Sequence, residues 1–297
     1  MKWTITNEYN GMIIREYLQK VHGFSRRLIK LVKFDGGEIL VNETKESVKY
    51  TLKTGDVLKI KFPPEISGSH MKPEEMELWI IYEDDAIIII DKPAGIATIP
   101  SLNHPAGTLA NGLLGYYEKN NIPFTIHVVT RLDKDTSGLV LIAKHRYSHS
   151  LLAAFQKAGE VKRKYMAVAE GKLTKKIGTI NAPIGRKPDS IIERTVTDAG
   201  KDAITHYKVI RESGGHSLLE VELETGRTHQ IRVHFSFINH PLAGDNLYGG
   251  SAKHISRQAL HCCEISFNHP ITKERMTFHS AIPEDIKTFM DDVTHSE

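Results

Sequence analysis

Two unbroken apolar runs, Ala86–Ile90 and Leu139–Ala143, constrain this chain more than any other feature of its sequence. A strand with one wet face alternates polar and apolar side chains; a run without alternation suits a strand buried on both faces. Two such strands call for a sheet inside a sizeable core, and 297 residues suffice for one large domain plus a small one. Further strands are expected at Trp79–Tyr82, Tyr165–Glu170, His206–Ile210, Leu218–Leu223, Ala259–Phe267 and Met276–Ala281. Helical spacing occurs at Leu151, Leu152, Phe155 and Ala158, and a terminal helix is expected over Glu284–Asp292. Repeating βαβ units and a glycine-rich phosphate loop are both missing, and Gly36-Gly37 and Gly249-Gly250 read as turns, which argues against a dinucleotide enzyme. The expected fold class is α+β, with a large domain on a mixed, largely antiparallel sheet and a small N-terminal α/β domain.

Composition narrows the classes further. Hydrophobic content of 40% and charged content of 25% suit a soluble globular protein. No apolar run reaches the roughly 18 residues of a membrane span, and residues 1–8 lack the apolar core of a secretory leader. Cys262 and Cys263 are adjacent and have no distant thiol to pair with, which fits a reducing, cytoplasmic setting. Among the sixteen histidines, His127, His229, His234 and His240 lie near the motifs described below. None has a cysteine or carboxylate at metal-ligand spacing, so surface or hydrogen-bonding roles are expected and no metal site.

The turn-rich, polar stretch 63–78 reads as a linker between residues 1–62 and 79–297. Gly68-Ser69-His70-Met71 within it has the look of a tag remnant but lies mid-chain and is taken as native. Residues 1–62 hold 12 Lys/Arg against 7 Asp/Glu, a net +5, which leaves −2 for the remainder of a chain of net +3. Positive charge confined to one small unit is a handle for phosphate. Ile13, Ile14, Tyr17, Leu18 and Val21 recur at helical spacing, and Ser25 is placed to cap a second helix. On that helix Arg26, Lys30 and Lys33 fall at i, i+4 and i+7 beside Arg27, and short strands are expected at Glu38–Val41 and Asp56–Phe62. The pattern resembles the RNA-binding module of a ribosomal small-subunit protein, the S-four type, and implies RNA contact through Arg26, Arg27, Lys30 and Lys33.

Chemistry is concentrated in two motifs. Arg131-Leu132-Asp133-Lys134-Asp135-Thr136-Ser137-Gly138 sets a carboxylate between an arginine and a tight turn at the mouth of a buried strand. Far downstream, in Gly226-Arg227-Thr228-His229-Gln230-Ile231-Arg232, Thr228 is placed to cap a helix between two arginines, an environment for an anion. A lone Arg-Leu-Asp would ordinarily be one more loop carboxylate; the second motif supplies a partner. Asp133 and Asp135 sit too close together in one turn for a glycosidase's paired carboxylates, and no sugar-binding aromatic cluster accompanies them.

Together with Asp91-Lys92-Pro93-Ala94-Gly95, Pro241 to Gly249, Leu260-His261, Phe267-Asn268-His269-Pro270 and Phe278, these motifs resemble the RluA family of pseudouridine synthases, in order from about residue 79 to 285. The related RsuA family fits less well, because its later motif lacks the Thr228–His234 run. The resemblance implies that Asp133 is the essential aspartate and Arg232 its salt-bridge partner. Tyr165 would stack on the base, Arg131 would enter the RNA stack, and Leu260 would wall the pocket. Arg227 and His229 are expected beside the substrate. The family usually has histidine where this chain has Thr130. Isomerising uridine to pseudouridine conserves atoms and needs no redox step, so no cofactor is expected. The expected partner is structured RNA, with large-subunit (23S) ribosomal RNA as the expected substrate and tRNA as the alternative. The rival reading is an RNA-binding ribosome-assembly factor without chemistry, which predicts loss of Asp133 or its arginine.

Overall fold

A computed structural model describes residues 1–65, 71–101, 104–123 and 125–294. Gly68, Ser69 and His70 of the tag-like tetrapeptide therefore lie outside the described residues. The N-terminal unit carries β1 (Lys2–Thr4), α1 (Ile14–Glu16) continued by a π-turn over Tyr17–Val21, α2 (Arg26–Phe34), β2 (Glu38–Val41), β3 (Thr44–Lys45) and β4 (Val57–Lys61). Ser25 caps α2, its hydroxyl accepting from Leu28 N at 3.1 Å. The strands form an antiparallel sheet in the order β1-β4-β2-β3, wider than a hairpin because β1 pairs along β4. Ile14, Leu18, Val32, Leu52, Leu58 and Ile60 fill the core beneath it.

The larger unit is α+β. It comprises β5 (Ile80–Glu83), β6 (Ile87–Lys92), α3 (Leu109–Lys119), β7 (His127–Val128), β8 (Ser137–Ala143), α4 (Arg146–Lys157) and β9 (Lys162–Glu170). After these come β10 (Ile177–Asn181), β11 (Ile184–Arg186), β12 (Arg194–Val196), β13 (Ile204–Ser213), β14 (His216–Leu223), α5 (Gln230–Phe237), β15 (Leu260–Asn268), β16 (Arg275–His279) and α6 (Glu284–Thr294). One sheet runs β10-β13-β14-β9-β15-β8-β6-β5, with β16 beside β15 and β7 beside β8; β11 and β12 form a separate ribbon. The two apolar runs lie in β6 and β8 at its centre, and Ile87–Ile90 and Leu139–Ala143 are wholly buried. Every described pairing in this sheet is antiparallel except β8 with β15.

That parallel contact positions the site. It sets Ser137 opposite His261 and Gly138 opposite Cys262, while β9 on the far side of β15 sets Tyr165 opposite Cys262. Gly138 is required there: its φ is +111°, and a Cβ would collide with the Cys262 carbonyl oxygen. Residues 131–136, immediately before β8, are thereby brought against the start of β15 and the middle of β9.

The turn itself is bolted from below. Lys92, at the end of β6, is completely buried, and its Nζ donates to the carbonyls of Pro93 at 2.8 Å, Ile96 at 2.7 Å and Lys134 at 3.0 Å. Three N–H donors meet three acceptors, so the ammonium is satisfied without a carboxylate. Thr98 Oγ1 donates to Leu132 O at 2.7 Å and accepts from Leu132 N at 3.1 Å. Thr130, where the resemblance leads one to expect histidine, accepts from Leu141 N at 2.9 Å through its hydroxyl and is buried.

Both described ends of the 63–78 stretch lie against the larger unit. Glu65 accepts from Arg146 N at 2.9 Å and sits 2.6 Å from His127 Nε2. Further on, Asn111 Nδ2 donates to Lys72 O at 2.8 Å, and a Cβ on Gly115 of α3 would collide with the Glu74 carbonyl oxygen. The two units also share α4. Its Tyr147 and Leu151 are buried in the N-terminal core, Tyr147 Oη donates to His22 O at 2.8 Å, and Leu152 belongs to the main core.

This packing has two measurable consequences. Leu151→Ala is expected to lower stability by about 2–4 kcal/mol, read as an earlier urea midpoint reported by the fluorescence of Trp3. Lys92 supplies a pH signature. Burial pushes its pKa down to about 7 from an ordinary 10.5, partly offset by Asp135 and Asp133. Between these two values the unfolded chain holds a proton that the folded chain does not, so folding gains stability as pH rises through that window. Wild type should therefore gain relative to Lys92→Met by up to about 1.4 kcal/mol per pH unit over that window. Parallel unfolding curves for the two proteins at every pH would contradict it.

Candidate active site

A cleft of about 930 Å³ opens where the starts of β8 and β15, the middle of β9 and the start of α5 converge. Asp133, Arg131, Tyr165, Arg227, His229, Arg232 and Leu260 all line it, so residues up to 129 positions apart in sequence (131 to 260) meet in one place. Asp133 lies in the bolted turn, with its side chain 26% exposed to the cleft. Arg232 Nη1 donates to Asp133 Oδ2 at 3.2 Å. His229 Nε2 lies 3.9 Å from the same oxygen.

Arg232 is itself held from the other side. Its Nε donates to Asp245 Oδ2 at 2.7 Å and its Nη2 to Asp245 Oδ1 at 2.8 Å, a two-pronged contact with a carboxylate that has no exposed surface. The Tyr248 ring lies 4.9 Å from the guanidinium carbon. Burial alone would lower the Arg232 pKa, but the bonds and charges of Asp245 and Asp133 outweigh it and the net direction is upward, so the guanidinium stays charged. Burial likewise lowers the His229 pKa; Asp133 opposes that and Arg232 reinforces it, which keeps the ring neutral at physiological pH. Asp245 and Tyr248 both lie in the 241–249 motif, where the sequence assigned them no role. Their position in that motif was the only signal for them.

Tyr165 is buried on β9 with its ring at the cleft wall, and burial pushes its phenol well above the ordinary value, with Arg163 opposing the shift. It is a neutral phenol at any physiological pH, able to donate or accept a hydrogen bond but not a standing phenolate. Leu260, 4% exposed, supplies an apolar wall. Arg131 and Arg227 stand exposed at the rim, and Arg227 Nε donates to Asp202 O at 2.9 Å. Arg163 and Arg194 add two rim cations that lie outside the sequence motifs.

The start of α5 differs from the expected cap. Thr228 does not cap the helix: the N-cap is His229, in the left-handed region at φ 57° and ψ 20°, with no side-chain capping bond. Gln230, buried inside the first turn, reaches back instead. Its Oε1 accepts from Arg227 N at 2.9 Å and Thr225 Oγ1 at 2.8 Å, and its Nε2 donates to Ile204 O and Thr205 Oγ1, each at 3.0 Å. The left-handed residue costs about 1–3 kcal/mol, and the 2.7 Å contact of His229 Nδ1 with Tyr248 Oη holds it in place.

Arg26, Arg27, Lys30 and Lys33 lie away from this cleft, exposed on the N-terminal unit. Arg26, Lys30 and Lys33 line a groove of about 320 Å³ with Arg15 and Gln19, and Arg27 lies outside it. Arg15 comes from α1 and was not legible from the spacing of α2. Among the described residues, the ion pairs of the N-terminal unit fall on Lys20, Lys59 and Lys61 and leave the groove cations out.

Residues 86–237 match the family described as RNA pseudouridylate synthase. The chain is 47% identical over 284 residues to the uncharacterized RNA pseudouridine synthase YjbO of Bacillus subtilis, covering 96% of this chain and 100% of that one. It is 37% identical over 284 residues to the ribosomal large subunit pseudouridine synthase D of Xanthomonas campestris, covering 90% and 84%. With the protein of the same name from Pseudomonas aeruginosa it shares 41% identity over 247 residues, 78% and 76% of the two chains. In fold it is similar to human RNA pseudouridylate synthase domain containing 1, at a TM-score of 0.58 and 22% identity over 71% of this chain and 86% of that one. The motifs running from Asp91 to Phe278, the matched family and these relatives agree: the chain belongs to the RNA pseudouridine synthases of the RluA type and is an isomerase.

Proposed function

We propose that the protein isomerises specific uridines of large-subunit ribosomal RNA, with Asp133 as the reactive group. The contact between Asp133 and Arg232 at the wall of a cleft shared with Tyr165 carries this reading. In the reaction the bond from ribose C1′ to uracil N1 breaks, the base turns, C5 bonds to C1′, the C5 proton is lost and N1 gains one. Asp133 either attacks C1′ or removes a sugar proton to give a glycal, and a carboxylate held beside a guanidinium serves both routes. Arg232, donating to Asp133 Oδ2, holds it aimed into the cleft. Tyr165, a neutral phenol, stacks on the base, with its hydroxyl available as a hydrogen-bond partner while the C5 proton is lost. Leu260 closes the pocket against water.

The uridine must first leave its stack, at a cost of a few kcal/mol. Arg131, exposed at the rim, fills the vacancy, and stacking on Tyr165 returns roughly 1–3 kcal/mol. Arg227 and His229 contact the flanking phosphate or the base. The N-terminal unit acts as an RNA-binding module of the S-four type, its groove of Arg15, Arg26, Lys30 and Lys33 gripping the backbone of a large folded RNA. The names of the Xanthomonas and Pseudomonas relatives favour ribosomal RNA over tRNA.

Asp133→Asn should fold and bind RNA as wild type does but release no tritium from 5-tritiated uridine in ribosomal RNA; retained turnover would remove Asp133 from the mechanism. Pseudouridine mapping in cells lacking the protein, complemented with wild type or Asp133→Asn, should show large-subunit positions restored by wild type alone. Reversing Arg26, Lys30 and Lys33 to glutamate should weaken binding across sequences and reduce the salt slope by about 1 for each phosphate no longer engaged. An unchanged slope would remove the groove from RNA contact.

A further inference from the structure

Helix α2 offers water more than cations. Its last residue, Phe34, leaves 65% of its surface exposed, although Val32, two residues earlier, is buried in the core of the same unit. One exposed apolar side chain by itself means little. This one stands in the groove of about 320 Å³, whose lining joins the buried Ile29 and Val48 to the cations Arg15, Arg26, Lys30 and Lys33. Among the described residues no carboxylate lines it. Lys30 and Phe34 are four apart and so share one face of the helix, and Lys33 Nζ lies 4.5 Å from the centre of the ring.

The end of α2 that bears the ring is fixed. Asp35 N donates to Leu31 O at 3.0 Å, and the chain then turns back through Gly36 at φ +95°. At Gly37 a Cβ would collide with the carbonyl oxygens of Val32 and Lys61, so the turn is pressed between the helix and β4. The ring is thus carried on a helix end that is anchored on both sides.

Phosphate contacts alone would account for the cations but not for the ring or the apolar part of the lining. The groove is also at the small end of ligand pockets, larger than a phosphate needs and suited to a base with its sugar. In a duplex each base face is covered by its neighbours, and only phosphates, riboses and base edges remain to be read. A phenyl ring set among cations matches the face of an unpaired base whose own phosphates the cations engage.

We propose that the groove takes an unpaired nucleotide of the RNA, its base stacked on the Phe34 ring and its flanking phosphates held by Arg26, Lys30 and Lys33. The N-terminal unit then selects RNA with a looped or bulged nucleotide over continuous duplex. This role rests on the reading of that unit as an RNA-binding module.

The test measures binding of the full chain to a short oligoadenylate and to a blunt RNA duplex over a range of salt, for wild type, Phe34→Ala, Phe34→Leu, Phe34→Trp and Lys30→Glu. The ring is exposed, so its variants should fold as wild type does. Phe34→Ala and Phe34→Leu should bind oligoadenylate about tenfold more weakly, the scale of one lost stack. Their dependence on salt should match that of wild type, because stacking releases no counterions. Phe34→Trp should keep wild-type affinity, and none of the three should change binding to the duplex. Lys30→Glu should weaken binding and lower the salt slope. Oligoadenylate 2-aminopurine fluorescence should be quenched more by wild type than by Phe34→Leu. Wild-type affinity for oligoadenylate in Phe34→Ala and Phe34→Leu, or an equal loss on duplex, would overturn the proposal while Lys30→Glu still weakened binding. Unchanged binding of both RNAs by Lys30→Glu would instead overturn the reading on which it rests.

Discussion

The parallel pairing of β8 with β15 is the constraint on which the rest of the molecule depends. An otherwise antiparallel sheet switches direction there, and the beginnings of two strands distant in sequence come to lie side by side. Loops entering parallel neighbours emerge at the same edge, so the Asp133 turn and the 241–258 segment are forced together. The approach is close enough to exclude any side chain at Gly138. Neither strand could slip by one residue without placing a side chain against a carbonyl.

Around that edge the chain uses backbone carbonyls and shared charges in place of isolated ion pairs. Lys92 is satisfied by three carbonyls, and Arg257 donates to the carbonyls of Asp135, Gln258 and Leu260 while forking to Asp285. A buried charge without such partners would be costly. Here the same bonds that satisfy the cations stitch together the loops at the cleft, so satisfying charge and fixing geometry are one task.

The apolar runs made β6 and β8 legible, because a strand buried on both faces writes itself into sequence as unbroken hydrophobicity. The meeting of Asp133 with Arg232 was legible through motif resemblance, and no local pattern contains that contact. Helix α3 was not legible: Gly112 and Gly115 lower its intrinsic propensity by about 1 kcal/mol each, and both are there for the close approach of Glu74 and Met76, a tertiary demand. Its capping box of Thr108 and Asn111 was the local signal that could have found it. The same limit explains the start of α5. Thr228 has the right chemistry for a cap, but the helix begins after the left-handed His229, and the buried side chain of Gln230 fixes the chain before it through four bonds that depend on β13 and the preceding loop. Lys92 and Asp245 stood in recognisable motifs, yet their partners are carbonyls and a guanidinium that only the folded chain brings near.

Helix α4 gives the two units a common wall. Leu151 completes one core and its neighbour Leu152 the other, while Phe155 packs against both. The N-terminal unit, whose strands and helices run from Lys2 to Lys61, is too small to bury enough of its surface to be robust alone, and it completes its interior with a helix that packs on the sheet next door. Thermal agitation that loosens α4 is therefore felt on both sides at once. The unit that carries the cationic groove is thus fastened to the unit that carries the cleft through the two faces of a single helix.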